Sequence, residues 1–449
     1  MNYIKNAIGS AAYRAMAQNC GISSFTPADW SASYQRADLD GNVVSVITAC
    51  LANTTLATAN NTATEGDINV ECARAATAAA LANVQFTNDP APSSAELAAL
   101  AANIATLFTA WTNNIATTAG TASNYIRNAI GAAAYEALTI NKGISAGVGG
   151  LPQVSTGSIE TDLDDQVAAI MQACHVNASI LGLEPSTEAS FPVKAIRAAV
   201  LAIFSNLGTD GVSSTELTAL AALVYEVFNS WIQGSASING TAAAVAAFAA
   251  MGADRGISSG AAPQGNTDLT TLYNCITAFL AACESNTSFA AYDQSAKGSV
   301  LLSGIFATAL NGKVLNLTVG GSPGTITLGS YISAAALLTA INTVGGWTGI
   351  ATQVPAAPAD GVLLLTKSTG LIVTSGSANV VLGLEESIGS SLTLAIEAAT
   401  AILLQNLDLE PITNPDTFLE PTPPGPAAEM TNLINLLVTL INEINTIIS

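Results

Sequence analysis

The sequence predicts a mainly α protein: tandem helical-bundle repeats, an inserted small α+β domain of order ββαβββ, and a C-terminal coiled-coil-like helix. Three observations predict it. A near-identical segment recurs far along the chain, an apolar stripe at helical spacing is written twice, and residues 311–384 abandon that spacing for short β-rich runs.

At roughly 150 residues per domain, a chain of 449 residues reads as about three domains, and with 50% hydrophobic residues it can bury a large core. Only 10% of residues are charged, against about 25% in ordinary soluble domains, so the surface is polar but mostly uncharged. The 12 Lys+Arg are scattered singly against 32 Asp+Glu, a net charge of −20. Nucleic-acid binding needs clustered cations on phosphates, so that class is excluded. After Lys367 no basic residue occurs, while Glu385, Glu386, Glu397, Asp408, Glu410, Asp416, Glu420, Glu429 and Glu443 follow. That end repels anionic membranes and DNA, and the acidic excess reads as a solubility device.

Met1-Asn2-Tyr3-Ile4-Lys5-Asn6-Ala7-Ile8-Gly9 lacks a basic segment followed by a continuous apolar run, so no secretory signal is expected. The uncharged run Leu97 to Ile126 is broken by Asn103, Thr106, Thr112, Asn113, Asn114 and Gly120, and no membrane insertion is expected. Asn-x-Ser/Thr triplets at Asn53, Asn177 and Asn286 read as a product of Asn/Thr-rich composition.

The N-terminal unit, residues 1–122, opens with Asn2-Tyr3-Ile4-Lys5-Asn6-Ala7-Ile8-Gly9-Ser10-Ala11-Ala12-Tyr13. The second unit, 123–242, opens with Asn124-Tyr125-Ile126-Arg127-Asn128-Ala129-Ile130-Gly131-Ala132-Ala133-Ala134-Tyr135. Gly21-Ile22-Ser23 returns as Gly143-Ile144-Ser145 and as Gly256-Ile257-Ser258, each glycine suited to the left-handed end of a helix. A third, diverged copy therefore reads over 243–310 plus 387–410. Ala37-Asp38-Leu39-Asp40 leads to Cys50, Thr161-Asp162-Leu163-Asp164 to Cys174, and Thr267-Asp268-Leu269 to Cys283.

Ser93-Ser94-Ala95-Glu96 and Ser213-Ser214-Thr215-Glu216 are capping boxes, in which a serine oxygen and a glutamate satisfy the unpaired N–H groups of a first turn. Behind them Leu97, Leu100, Ile104, Leu107, Phe108 and Trp111 match Leu217, Leu220, Val224, Val227, Phe228 and Trp231 at offsets 0, 3, 7, 10, 11 and 14. Trp111 and Trp231 close amphipathic stripes and read as core, as do Cys50, Cys174 and Cys283, three small apolar residues at one repeat position.

Residues 311–386 form the inserted domain, with β-rich runs at Lys313 to Val319, Thr325 to Leu328, Gly349 to Val354, Gly361 to Lys367 and Leu371 to Ser375, and a helical stretch from Ser333 to Val344. Val314 to Val319 and Thr325 to Leu328 form a hairpin; Ala340-Ile341-Asn342 ends the helix. Gly349-Ile350-Ala351-Thr352, Leu363-Leu364-Leu365-Thr366, Thr369-Gly370 and Leu382-Gly383-Leu384 follow. In order and spacing this resembles the flagellin hook IN motif, with Ile350-Ala351-Thr352 where the motif has Val-Thr-Ala and a Pro-rich turn at Pro355 to Pro358. The resemblance covers about a sixth of the chain. It implies a module of flagellar hook-associated proteins or of bacteriophage tail and other structural proteins, a setting without catalysis. The flagellar proteins pair the module with long terminal coiled-coil helices. Tandem helical repeats fit the phage setting better.

Residues 411–428 hold Pro411, Pro415, Pro421, Pro423, Pro424 and Pro426 and read as a stiff linker. In residues 429–449, Leu433, Leu437, Leu440, Ile444 and Ile447 are spaced 4, 3, 4 and 3, with Ile434, Ile441 and Ile448 flanking them. A helix of about two heptads is marginal alone. These five residues are the candidate oligomerisation or docking seam, or else they fold back on their own chain; Ile beside Leu leans toward a trimer or larger.

Little chemistry is nominated. His175 is the only histidine and has Leu51 as its counterpart, so no catalytic role is expected. Cys20, Cys72 and Cys275 pair with nothing evident, and no zinc, nucleotide or other cofactor motif occurs. Asp38-Leu39-Asp40-Gly41-Asn42 and Asp162-Leu163-Asp164-Asp165 lack the later bidentate glutamate of a calcium loop and read as carboxylates near helix starts. The expectation is a non-enzymatic virion structural protein of a tailed bacteriophage, assembled in the host cytoplasm as a homo-oligomer with other virion proteins and reaching a host receptor. A tail fibre or tail-associated part comes first and a capsid decoration or head-fibre protein second. A bacterial flagellar or cell-surface protein and a polysaccharide-degrading tail enzyme follow.

Overall fold

The structure is a computed structural model that describes residues 2–19, 36–63, 67–82, 92–119, 124–141, 158–183, 191–205, 213–231, 238–254, 276–283, 285–291, 295–302, 310–319, 322–344, 347, 350–354, 362–366, 372–375, 377–382, 390–404 and 426–448. The chain is mainly helical. It divides into two compact units, one of residues 1–234, 242–280 and 394–449, the other of residues 235–241 and 281–393.

The first unit opens with α1 (Tyr3–Asn19), α2 (Arg36–Ala52), α3 (Thr54–Asn60), α4 (Ile68–Leu81) and α5 (Ser94–Ala119). The pattern returns as α6 (Tyr125–Asn141), α7 (Ser158–Val176), α8 (Ala178–Leu181), α9 (Phe191–Phe204) and α10 (Ser214–Trp231). α1 packs on α4 and α2, while α5 packs on α4 and α2; α6, α9, α7 and α10 repeat these four pairings. α1 and α4 are buried nearly all round, and alanine suits them because it orders no side chain and leaves helices close together.

The long helices show how a surface can be polar without charge. On α5 the residues Leu100, Ile104, Leu107, Phe108, Trp111 and Ile115 are buried. Four of its threonines bond back to their own helix, among them Thr106, whose Oγ1 donates to the Ala102 carbonyl at 2.9 Å, and Thr117, whose Oγ1 donates to that of Asn113 at 2.8 Å. Both capping boxes form. The Ser93 N–H donates to Glu96 Oε2 and the Ser213 N–H to Glu216 Oε2, each at 2.7 Å, and each glutamate N–H donates back to the serine oxygen at 3.3 Å. These bonds hold the Glu96 and Glu216 carboxyls below their ordinary range.

Further helices follow, among them α11 (Ile238–Asp254), α15 (Ser390–Leu404) and α16 (Pro426–Ile448), and residues 276–283 are helical too. α16 packs on α1 and α2 as α5 packs on α6 and α7.

The second unit carries α12 (Thr287–Ala291), α13 (Ala334–Asn342), α14 (Ala378–Leu382) and six strands, β1 (Ser295–Leu301), β2 (Val314–Val319), β3 (Ser322–Thr327), β4 (Ala351–Val354), β5 (Val362–Thr366) and β6 (Ile372–Ser375). They form two antiparallel three-stranded sheets, β1-β5-β4 and β3-β2-β6. β1 corrects the expected order ββαβββ and the helical reading of 243–310. Its sequence, Ser295-Ala296-Lys297-Gly298-Ser299-Val300-Leu301, holds one β-branched residue, and pairing with β5 makes it a strand.

The β2–β3 hairpin turns its leucines inward: Leu315 and Leu317 join Leu337, Ile341, Trp347, Leu363 and Leu365 in one core. Before it, Gly312 holds φ +72°, a conformation that favours glycine, and its N–H donates to the Leu328 carbonyl at 2.8 Å. Gly324 lies against the Trp347 indole, where a Cβ would come within 2.7 Å of the ring.

Candidate functional site

The expected docking seam is occupied by its own chain. Leu433, Leu437, Leu440 and Ile444 are buried and Ile447 is half-buried, on a helix packed against α1 and α2. Of the two readings held open for 429–449, an assembly helix or a fold-back onto its own chain, this packing is the fold-back. Aligning Glu429 with Glu96 explains why. Leu433, Leu437, Leu440, Ile441, Ile444 and Ile448 then fall on Leu100, Ile104, Leu107, Phe108, Trp111 and Ile115, all buried in both helices. The stripe of α5 and α10 is thus written a third time in α16.

Two glycines sharpen the equivalence. A Cβ on Gly9 would lie 2.6 Å from Ile448 and 2.9 Å from Ile47. A Cβ on Gly131, the same repeat position, would lie 2.8 Å from both Ile115 and Met171. Ile448 therefore touches α1 as Ile115 touches α6.

Cys50, Cys174 and Cys283 are buried thiols, as is Cys72. Burial pushes Cys50, Cys72 and Cys174 up to about 12. Cys20 and Cys275 lie outside the described residues. Trp111 is buried and stacks on Tyr135 with ring centroids 4.6 Å apart, while the side chain of Trp231 lies outside the description.

Three residues beyond each repeated cysteine stands an asparagine whose triplet, in sequence, reads as composition alone. Asn53 Oδ1 accepts from the Thr55 and Leu56 N–H groups, Asn177 Oδ1 from Ser179 and Ile180, and Asn286 Oδ1 from Ser288 and Phe289. The Asn-x-Ser/Thr triplets are the same helix cap at three places in the chain. The spacing Cys-x-x-Asn, read across the copies, carries that signal.

The acidic segments lie in helices. Asp38 stands in the first turn of α2, and Asp164 within α7 accepts from the Tyr135 hydroxyl at 2.6 Å. Burial and the Asp164 bond raise the Tyr135 phenol well above its ordinary range. Among the described residues no three His, Cys, Asp or Glu stand close enough to hold a metal, and no single helix is long and apolar enough to cross a membrane. His175 Nε2 lies 3.2 Å from Arg127 Nη2, which can only donate, so the imidazole accepts there.

The densest polar arrangement among the described residues is an ionic junction that sequence reading missed. Arg197 Nη1 donates to Glu71 Oε1 at 3.1 Å, and its Nη2 to Glu397 Oε2 at 2.8 Å. Lys194 Nζ donates to Glu397 Oε1 at 3.1 Å, and Arg74 Nη1 stands 3.6 Å from Glu397 Oε2. Arg74 on α4, Arg197 on α9 and Glu397 on α15 occupy one repeat position, because Arg74-Ala75-Ala76-Thr77-Ala78 aligns with Arg197-Ala198-Ala199-Val200-Leu201 and with Glu397-Ala398-Ala399-Thr400-Ala401. By the same alignment Glu71 and Lys194 are equivalents of opposite charge.

Burial would raise the Glu397 carboxyl, but Lys194, Arg197 and Arg74 bring it down to about 2. Glu71 behaves alike: burial raises it, while Arg197 and Arg74 outweigh burial. Arg74 is lowered by burial and by the like charge of Arg197. These groups tie three helices far apart in sequence; none is arranged as a nucleophile with its base or as a paired acid and base.

No family model, curated protein or solved structure matches the chain.

Proposed function

We propose that the chain is a non-enzymatic structural protein of a tailed-phage virion, a tail fibre or tail-associated component that works by packing and adhesion. Its helical part is read as three copies of one bundle that close on themselves, α16 of the third copy seating on α1 and α2 of the first. The β-rich unit is read as the hook-IN-like insert of the third copy.

The observation that carries this reading is the Ile-Asn pair of the resemblance. Ile341 is fully buried in the core of the β-rich unit. Asn342 accepts from the Ala351 N–H at 2.8 Å and donates to the Ala351 carbonyl at 2.9 Å, so that both groups of its amide pin the start of β4. The motif's two named residues thereby have a physical task. Low charge supports the rest, since surfaces rich in Thr and Asn can meet with few ions to desolvate. Partners are other virion proteins, further copies of the chain and a host receptor, met through surfaces other than the α16 seam.

Immunogold labelling of virions from the source of this sequence, with antibody against the purified protein, tests the reading. Label along the tail supports it, label over the head replaces it with a capsid-decoration role, and protein confined to uninfected cells or to a soluble fraction overturns it.

A further inference from the structure

We propose that the ionic junction binds one small monovalent anion, of halide type, against the Arg74 guanidinium. The charges do not balance by themselves. Arg14 pairs with Glu136, and Glu136 acts in turn on Arg74 and Arg197. Among the described residues the connected group therefore holds four cations, Arg14, Arg74, Lys194 and Arg197, against three carboxylates, Glu71, Glu136 and Glu397. An uncompensated charge at low exposure is costly, and proteins satisfy it with a counter-ion or a shifted protonation state. An arginine holds its proton, so a counter-ion remains.

The hydrogen bonds show where the surplus sits. Arg197 and Lys194 both spend their donors on carboxylates at 2.8 to 3.3 Å. Arg74 does not: its Nε and Nη1 are shielded from solvent and donate to nothing among the described residues, and the Glu397 oxygen beside Nη1 is 3.6 Å away, beyond hydrogen-bond reach. Its side chain is only 12% exposed. Two unbonded donors on one rigid planar cation, beside a carboxylate whose hydrogen bonds the other cations have taken, form an anion's first contacts.

The charge of the ion follows from the count. A surplus of one calls for one negative charge, while a divalent phosphate would leave the junction negative. The surplus itself arises at one repeat position, where Glu71 of the first copy is replaced by Lys194 in the second.

The test is unfolding of the full-length protein in gluconate buffer with chloride substituted at constant ionic strength, beside the variants Lys194→Gln and Arg74→Gln. For the wild type the unfolding constant falls tenfold for each tenfold rise in chloride above saturation. In Lys194→Gln the response moves to about tenfold higher chloride, a loss of about 1.4 kcal/mol of attraction, and in Arg74→Gln it disappears. Crystals grown in bromide show an anomalous peak within hydrogen-bond reach of Arg74 Nε and Nη1. Equal chloride responses in wild type and Lys194→Gln, or a water in place of bromide, overturn the proposal. Stronger stabilisation by phosphate than by chloride overturns its monovalent form. Should Arg74→Gln fail to fold, Lys194→Gln and the bromide crystals decide.

Discussion

Arg14 and Glu136 stand at the same position of two successive copies, 122 residues apart, and form an ion pair with each other. A site pairing with its own equivalent is the mark of an interface between like units, and here one partner has reversed its charge so that the contact attracts. Identical residues would have repelled.

That reversal predicts a rescue. Arg14→Glu or Glu136→Arg alone places like charges together and costs about 3 kcal/mol, the scale for breaking a shielded pair. The double exchange restores most of the loss, as a thermodynamic cycle from denaturant unfolding reads directly.

Glu397 sets a pH limit. Its folded carboxyl lies near 2, below its unfolded value, so it stabilises the fold at neutral pH. The contribution is lost as pH falls from about 4.5 toward 2, and its size is on the order of 3 kcal/mol. Glu397→Gln is expected to lower stability at pH 7 by a comparable amount and to leave a shallower slope of stability against pH in that window.

The thiols give a check on packing. With Cys50, Cys72 and Cys174 pushed up to about 12, none carries a useful thiolate fraction at pH 8, and all are buried. A thiol-specific reagent should leave these three and Cys283 unmodified in the native protein and modify them in denaturant, as mass spectrometry of the peptides will show. Fast native modification of Cys50 or Cys174 would contradict the bundle described for both copies.

Seating of α16 is testable at Gly9. Gly9→Ala brings a methyl against Ile448 and Ile47, and overpacking of this kind costs about 1 to 3 kcal/mol. Trimming the neighbour by Ile448→Ala should be worth less in the Gly9→Ala background than alone, giving a coupling that a free C-terminal helix would lack.

In the β-rich unit, Gly324→Ala meets the Trp347 ring rather than a flexible side-chain end. The loss is expected at the upper part of the same range, and Trp347→Leu in the same chain should relieve part of it.

Much of this is legible in the residues, and some of it misleads. The stripes of α5 and α10 are clear because Phe and Trp mark them. In α16 the same positions hold only Leu and Ile, whose 4, 3, 4, 3 spacing resembles a coiled-coil seam, so internal packing imitates a docking face. The caps at Asn53, Asn177 and Asn286 hide behind a commonplace triplet. β1 is out of reach, since its pairing with β5, not its composition, makes it extended. The ionic junction is out of reach for a related reason: Glu71, Arg74, Lys194, Arg197 and Glu397 are single charges in alanine-rich helices, and only the packing of α4, α9 and α15 gathers them.

The contact of Ile448 with Gly9 joins the last described helix to the first. Circular permutation is the natural consequence: joining the end of α16 to the start of α1 and reopening the chain between α5 and α6 keeps α1, α2, α4, α5 and α16 beside their present neighbours. The order in which the copies are written along the chain is then separate from how the helices pack.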